Sequence, residues 1–381
     1  MKKNISIYVH IPFCFSKCYY CDFNSYAGKE NLVESYIDSL CKEIISNSEI
    51  LTEYNIDTIY FGGGTPSFID SKYIKQVLDI LSMFNINDEA EITIEVNPNS
   101  LTQDKAIEYK KMGINRVSIG LQTTYDDVLK NIGRKHKKED FINSLKYLKE
   151  AGIKNISCDL IYPLPGLNLD SFKASVDEVV SLSDEYNIKH ISIYNLEVHE
   201  NTKLDFLLKE GFLSLVDEDE EYEMRKYLNC KLNDSGFIKY EISNFGKEGF
   251  YSRHNINYWK QGYYLGFGAG ASSFFGGSRY TNVKSIEEYI NDINNNMSAI
   301  TEREDMNLLE LISEYIILRL RLKEGVDLRE FEKRFEKSIF EYYDKQINSL
   351  KNKGLINVTD TTINLTKRGA EVANLVWEEF V

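Results

Sequence analysis

The segments "KKMGINRVSIGL" (110–121) and "KEAGIKNISCDL" (149–160) follow one plan. Each leaves a charged helical stretch and stops on glycine, Gly113 or Gly152. Each then enters an apolar strand through isoleucine and carries a serine inside it, Ser118 or Ser157. The offset is 149 − 110 = 39 residues, room for one strand, one helix and their loops. Buried strands joined by crossover helices imply a parallel sheet.

The same alternation runs outward from this pair. Strand candidates are "ISIYVHI" (5–11), "IDTIYFGG" (56–63), "AEITIEVNP" (90–98), 114–122, 153–162 and "IKHISIYNL" (188–196). Helical spacing fills 31–47, 71–84, 101–113 (starting near Thr102), 138–152 and 170–182. Six such units fit an open or partial β/α barrel; a doubly wound sheet is the alternative. An acidic helix is expected over 216–236, then a segment rich in glycine and aromatics over 240–277. A long helix is expected to open with the capping-box pattern "TERE" (Thr301, Glu304), run to about Lys323 and stop at Gly325. Helices over 328–335 and near 338–350 lead to two short strands within 354–369. That ending suggests a small, mainly helical, winged-helix-like domain. The expected division is 1–212, 213–297 and 298–381.

In parallel α/β folds ligands bind at the carboxyl ends of the strands. Cys14, Cys18 and Cys21 follow the first strand and "GGGTPS" (62–67) follows the second. Glu95 ends the third, Gln122 follows the fourth, and Asp159 lies late in the fifth. Separate segments thus aim polar groups at one rim.

Bulk properties limit the partners. Lysine and arginine number 45 against 59 acidic residues, a net charge of −14. That balance argues against nonspecific binding to nucleic acid or to anionic membrane. "SEYIILRLRLKEG" (313–325) shows no broad basic face, so no nucleic-acid partner is expected. No apolar run reaches about 18 residues. The start "MKKNISIYVHIPF" reads as a first strand rather than a leader. The expected location is cytoplasmic. Cys41, Cys158 and Cys230 are scattered and read as structural.

"CFSKCYYC" (14–21) is a different case. Structural zinc wants four protein ligands, often as two close pairs, and no second pair exists. A redox Cys18/Cys21 pair leaves Cys14 unexplained. The remaining reading is a [4Fe–4S] cube held at three irons. Its fourth iron is then open to a small molecule with adjacent nitrogen and oxygen donors, such as the methionine end of S-adenosylmethionine. Tyr19, Tyr20 and Phe23 would limit water there.

"CFSKCYYC" resembles the C-x-x-x-C-x-x-C signature of radical S-adenosylmethionine enzymes. "YVHIPFCFSKCYYCDFNSY" (8–26) resembles the branch that contains oxygen-independent coproporphyrinogen III oxidase and its haem-chaperone relatives. "YFGGGTPS", "EVNP", "LQTTYDDVLKNIGRKH", "DLIYPLPG", "YEISNFGKEGFYSRHNINYW" and "YLGFGAGASS" extend the likeness over nearly the whole chain. The resemblance implies a partial (β/α)₆ barrel, a [4Fe–4S] cluster on Cys14, Cys18 and Cys21, and S-adenosylmethionine. It implies Tyr8 beside the sulfonium, backbone donors from Gly63, Gly64 and Thr65 at the methionine end, and Glu95 near the amino group. Gln122, Arg134 and Asp159 would hold the ribose and carboxylate.

Within that branch the resemblance leans toward haem handling. Its oxidases carry an extension before the cluster, for which Cys14 leaves no room. They also carry a further cysteine two positions after the triad, where this chain has Phe23. "HNINYW" (254–259) resembles the H-N-x-x-Y-W signature of the chaperone-like members. His254 is then either an axial haem ligand or a residue that orders its loop by hydrogen bonding. The implied partners are haem, apo-haem proteins such as cytochromes, and a reduced donor of flavodoxin or ferredoxin type. Peripheral contact with membrane haem proteins is a further expectation. Radical decarboxylation of coproporphyrinogen III, or chemistry on another tetrapyrrole, are the alternatives. One departure stands out. "YNLEVHENT" (194–202) puts His199 and Asn201 where the family commonly has glutamate and glycine.

Overall fold

The computed structural model describes residues 2–381. Six parallel strands follow one another across the sheet in chain order: β1 (Asn4–Ile11), β2 (Asn55–Gly63), β3 (Ile86–Val96), β4 (Arg116–Gln122), β5 (Ile156–Tyr162) and β6 (Ile188–Asn195). Between them run α1 (Val33–Ser46), α2 (Ser71–Leu81), α3 (Gln103–Lys111), α4 (Lys138–Glu150) and α5 (Leu169–Leu182). Local chemistry sets their starts: the side chains of Asp70, Thr102 and Asn168 accept from the first-turn amides of α2, α3 and α5.

Both edges of this partial barrel are extended. A 17-residue outer helix, α6 (Glu218–Asp234), precedes β7 (Ile238–Lys239) and β8 (Asn244–Gly246). β8 pairs antiparallel with β6, and β7 with β8. α7 (Arg253–Trp259) follows. β9 (Tyr264–Phe267) then adds a seventh parallel strand on the far side of β1. The "YLGFGAG" glycine signal had not been read as a strand. β10 (Ser272–Phe275), β11 (Ser278–Asn282) and β12 (Ile300–Asp305) continue antiparallel from β9, and α8 (Ile286–Asn294) lies between β11 and β12.

The expected helix start at Thr301 is therefore corrected. "ITERED" is an edge strand with all six residues exposed, and Arg279 and Tyr280 of β11 pair with Glu304 and Arg303. Alternating charges suit an exposed edge. The helix, α9 (Leu308–Arg321), starts instead at Asn307, whose capping box uses Glu310. Residues up to Asp305 thus belong to the large sheet. The middle region also shares the barrel's core through Phe237, Phe245, Leu265, Phe267 and Tyr289. A second core holds Ile312, Tyr315, Phe331, Ile339, Ile356 and Val376. It joins α9, α10 (Leu328–Phe335) and α11 (Ile339–Asn352) to a three-stranded sheet of β13 (Val326–Asp327), β14 (Ile356–Val358) and β15 (Thr362–Leu365).

The barrel strands alternate in a way that positions the site. Ile5, Ile7, Val9 and Ile11 of β1 face outward into the helix-covered core. Ser6, Tyr8 and His10 face inward. So do Thr58 and Tyr60 of β2, Glu91, Thr93 and Glu95 of β3, and Ser118 of β4. Ser157 and Asp159 of β5, and His190 and Ser192 of β6, complete the set, as their cross-strand hydrogen bonds show. Barrel interiors are usually filled by branched apolar side chains. A polar interior costs burial energy unless it is hydrogen-bonded or holds a ligand.

Candidate metal and cofactor site at the barrel rim

The three cysteines sit on the loop after β1. Cys14 is buried, and its sulfur lies 3.4 Å from Thr65 Oγ1. Cys21 Sγ lies 3.9 Å from Ser25 Oγ. Arg134 donates from Nη1 to Cys18 Sγ at 3.5 Å and from Nη2 to the Gly120 carbonyl. Burial pushes the Cys14 and Cys21 thiols up, and the neighbouring sulfurs add to it: Cys18 and Cys21 act on Cys14, and Cys18 acts on Cys21. A metal removes that cost by binding deprotonated sulfur. Among the described residues no three His, Cys, Asp or Glu side chains form a ready single-ion site. Three thiols on one loop, with no fourth protein ligand beside them among the described residues, suit a multinuclear cluster in which each iron takes one thiolate. The donor set therefore fits a cluster better than one zinc ion.

The loop is clamped from two sides. Tyr19 donates its amide to Ile132 O and accepts from the Leu204 amide. Lys203 Nζ sits 3.9 Å from the Tyr19 ring centre. Tyr20 packs against the main core, but Phe23 is 65% exposed. Its expected role in limiting water is not what the fold gives it.

Inside the rim, Glu95 accepts from Tyr60 Oη at 2.7 Å. Burial, ahead of the neighbouring Asp159, pushes its carboxyl up to about 7. Asp159 accepts from Ser118 Oγ at 3.1 Å through both oxygens, and burial raises it as well. It sits mid-strand in β5 rather than late. Tyr8 Oη meets His10 Nδ1 at 3.0 Å, and His10 Nε2 meets Asn24 O at 2.8 Å. Tyr8, Tyr60, Glu95 and Asp159 each keep partial exposure although they point into the barrel, so they line a lumen. Gln122, the last residue of β4, is held at φ +70°, and its Oε1 has no partner among the described residues. Arg134 Nε and Asn97 Oδ1 are also buried without partners. Gly120 makes room for this pair: a Cβ there would lie 2.7 Å from the Arg134 guanidinium and 2.8 Å from the Gln122 amide.

The glycine loop is corrected in one respect. The Gly64 and Thr65 amides already donate, at 2.9 Å each, to Ile11 O and Phe13 O. They are not free donors. The Thr65 carbonyl is engaged as well, accepting from the Phe68 amide at 2.8 Å. Gly63, at φ +108°, has a close-packed neighbour: an added Cβ would lie 2.4 Å from the His10 ring.

His254 lies elsewhere, below the rim on α7. It is 1% exposed. Its Nδ1 is 2.7 Å from Thr58 Oγ1, its Nε2 2.8 Å from Tyr258 Oη, and its amide donates to Glu91 at 3.1 Å. Burial lowers its pKa to about 3. Both ring nitrogens are engaged, which matches the loop-ordering reading and leaves no lone pair for iron in this arrangement. Of the five histidines only His199 is substantially exposed. Its Nε2 lies 3.5 Å from Asp22 and 3.8 Å from Glu197. Asn201 adopts φ +64°, a conformation asparagine tolerates better than most residues. It therefore does the backbone task of the family glycine.

The scattered cysteines divide. Cys41 and Cys158 are buried, whereas Cys230 is exposed on α6 and packs no core. Sequence reasoning missed Tyr60, Thr58 and Glu91. The signal was present, since polar residues recur at every second position of strands that helices cover outside.

Comparison with known proteins follows the same line. Residues 8–179 match the model of the radical SAM superfamily, and 306–372 match the HemN C-terminal domain. "Heme chaperone HemW" of Bacillus subtilis is 35% identical, with 99% of each chain covered. Its namesake in Lactococcus lactis is 36% identical, covering 100% of this chain and 98% of that one. The chain belongs to the HemW family of radical SAM proteins. The solved E. coli coproporphyrinogen III oxidase (HemN), described as a radical SAM enzyme, superposes with TM-score 0.86 at 22% identity. The match covers 100% of this chain and 90% of that one, which establishes a shared fold. The expected radical SAM barrel with a smaller C-terminal domain is thus what the chain has. Among the described residues no helix is long and apolar enough to cross a membrane.

Proposed function

We propose that this protein is a haem chaperone that binds haem and passes it to apo-haem proteins, carrying a [4Fe–4S] cluster and S-adenosylmethionine. The observation that carries the reading is the full-length likeness to curated haem chaperones. Phe23, where the oxidases of the branch carry a cysteine, supports it.

When bound, the cluster supplies one-electron chemistry at the sulfonium of S-adenosylmethionine. The chain's own side chains do the rest. Cys14, Cys18 and Cys21 hold three irons, and Arg134 sets a positive charge against the Cys18 sulfur. The Glu95 carboxylate would accept from an N–H of the methionine amino group. Tyr8 lies beside the sulfonium. Asp159, held by Ser118, takes ribose hydroxyls, and Gln122 and Arg134 offer their free polar atoms to the remaining oxygens. The one-electron donor is a flavodoxin- or ferredoxin-type protein.

The test uses anaerobically reconstituted full-length protein. One assay follows haem uptake and transfer to an apo-cytochrome. The other follows 5′-deoxyadenosine and vinyl products from coproporphyrinogen III. Haem transfer without vinyl product is expected; vinyl product at catalytic rates would replace the chaperone with the oxidase. Haem absorption spectra of His199→Ala and His254→Ala then show which imidazole, if either, meets the iron.

A further inference from the structure

The HNINYW segment lies on α7 beneath the barrel, yet it reaches the rim through two rings. Tyr60 occupies the layer between them. One face of its ring stacks on His254, with centroids 5.0 Å apart and planes 25° apart. It also stacks on Tyr8 at 6.3 Å and 27°. Its hydroxyl donates to Glu95 Oε1 at 2.7 Å. Gly62 leaves the space for this group, since a Cβ there would lie 2.9 Å from Tyr60, 3.1 Å from Tyr8 and 3.3 Å from Glu95.

His254 is itself fixed from three strands' worth of partners. Thr58 holds Nδ1 and in turn donates to Ser6 Oγ at 2.8 Å. Tyr258 holds Nε2. Glu91 holds the backbone amides of both Arg253 and His254. Two hydroxyls thus lock the imidazole in one orientation while Glu91 holds its backbone, and that imidazole is the floor on which Tyr60 rests.

We infer that His254 is a positioning residue for the S-adenosylmethionine site, acting through Tyr60 on Glu95. The inference rests on the cofactor reading above and adds to it a role for the HNINYW segment that is separate from iron ligation. The physical logic is leverage on a carboxylate. Glu95 is pushed toward its neutral form by burial, and the Tyr60 hydrogen bond is the group that opposes this most. If Tyr60 drifts, Glu95 loses the bond that favours its charged form, and with it the strong acceptor that the amino N–H needs. The segment also touches the C-terminal domain. Trp259 carries the Arg321 guanidinium 4.3 Å from its ring centre, and Gln261 donates to Leu311 O and Glu314 of α9. A shift of the C-terminal domain on α7 would therefore be felt at Glu95.

The experiment measures S-adenosylmethionine affinity of the reconstituted full chain by calorimetry. In parallel it records the change that the ligand causes in the electron paramagnetic resonance spectrum of the reduced cluster. His254→Ala and the gentler His254→Gln, which can keep bonds to Thr58 and Tyr258, are each expected to weaken binding about tenfold and to blunt the spectral change. Tyr60→Phe, which keeps the ring and removes only the hydroxyl, is expected to do the same. The double variant His254→Gln/Tyr60→Phe should be no weaker than the weaker single within about twofold, because both act on one carboxylate. A merely structural role would instead lower thermal stability and leave affinity and spectrum alone. Affinities of both His254 variants within twofold of wild type would overturn the inference. Wild-type protein that binds no S-adenosylmethionine would overturn the cofactor reading, and the relay with it.

Discussion

The two ends of the barrel are made from the same strands and behave oppositely. At the rim, Gln122 Oε1, Arg134 Nε and Asn97 Oδ1 are buried with no partner, and Tyr8, Glu95 and Asp159 line a space. At the floor, both nitrogens of His254, the hydroxyl of Thr58 and both oxygens of Glu91 are engaged. Buried polar groups are normally satisfied. The rim's deficit therefore marks where a ligand completes the structure, whereas the cluster around His254 closes on itself, although Thr93 Oγ1 and Arg116 Nε lower in the barrel are also without partners. The difference teaches that a polar barrel interior is not by itself a binding site. What separates a site from a scaffold is whether the hydrogen bonds close internally.

That contrast can be broken at the rim first. Replacing any of Cys14, Cys18 or Cys21 by alanine should abolish iron content and the visible absorbance of the reconstituted cluster while far-ultraviolet circular dichroism stays unchanged. Replacing Cys41, Cys158 or Cys230 should leave the iron content intact, and loss of iron there would move the site.

Gly63→Ala comes next. It places a Cβ against the His10 ring at a left-handed φ. Loss of S-adenosylmethionine binding by more than tenfold is expected, with about 2 kcal/mol of destabilisation in denaturant unfolding.

A pH titration sharpens the comparison without mutation. Glu95 titrates near 7, and Tyr60, Tyr8, Asp159 and Tyr194 are the ionisable groups around it. The charged carboxylate is the stronger acceptor for an amino N–H, and protonation weakens that bond. Affinity for S-adenosylmethionine, measured by calorimetry without haem, should hold above pH 7 and fall about tenfold from pH 8 to pH 6. A flat profile would show that Glu95 is not the partner of the amino group.

At the floor stability falls in addition to the affinity loss already expected for His254 variants. His254→Ala orphans the Tyr258 hydroxyl, leaves the Thr58 hydroxyl with Ser6 alone, and should cost about 2–4 kcal/mol of unfolding free energy. The smallest effect belongs outside both ends. Phe23→Ser, at an exposed loop position, should change stability by less than about 0.5 kcal/mol. It should also leave the cluster's decay rate in air unchanged; a faster decay would restore the shielding role.

Much of this was legible before the fold. The 39-residue echo carries strand and helix periods that local chemistry enforces, so the six parallel strands could be read from "VSIGL" and "ISCDL". The cysteine spacing and the glycine loop are local motifs, and the superfamily followed from them. The start of α9 was misread because "TERE" satisfies a capping-box pattern, while the strand pairing with β11 that overrides it is non-local. The seventh parallel strand was missed for the same reason, since β9 is defined by lying beside β1, 258 positions earlier at the register Ser6–Tyr264.

The amino-acid sequence by itself determined which chemistry is available: three thiols for a cluster, a glycine loop, carboxylates at strand ends, and a family. Residue type and short spacing suffice for that, because ligand softness and backbone freedom are local properties. Only the tertiary structure decided which polar groups remain free. It used up the Gly64 and Thr65 amides on Ile11 and Phe13, turned Phe23 to solvent, and closed both nitrogens of His254 with partners from β2 and α7. Hydrogen-bond saturation depends on neighbours brought together from distant parts of the chain, so no local pattern could have stated it.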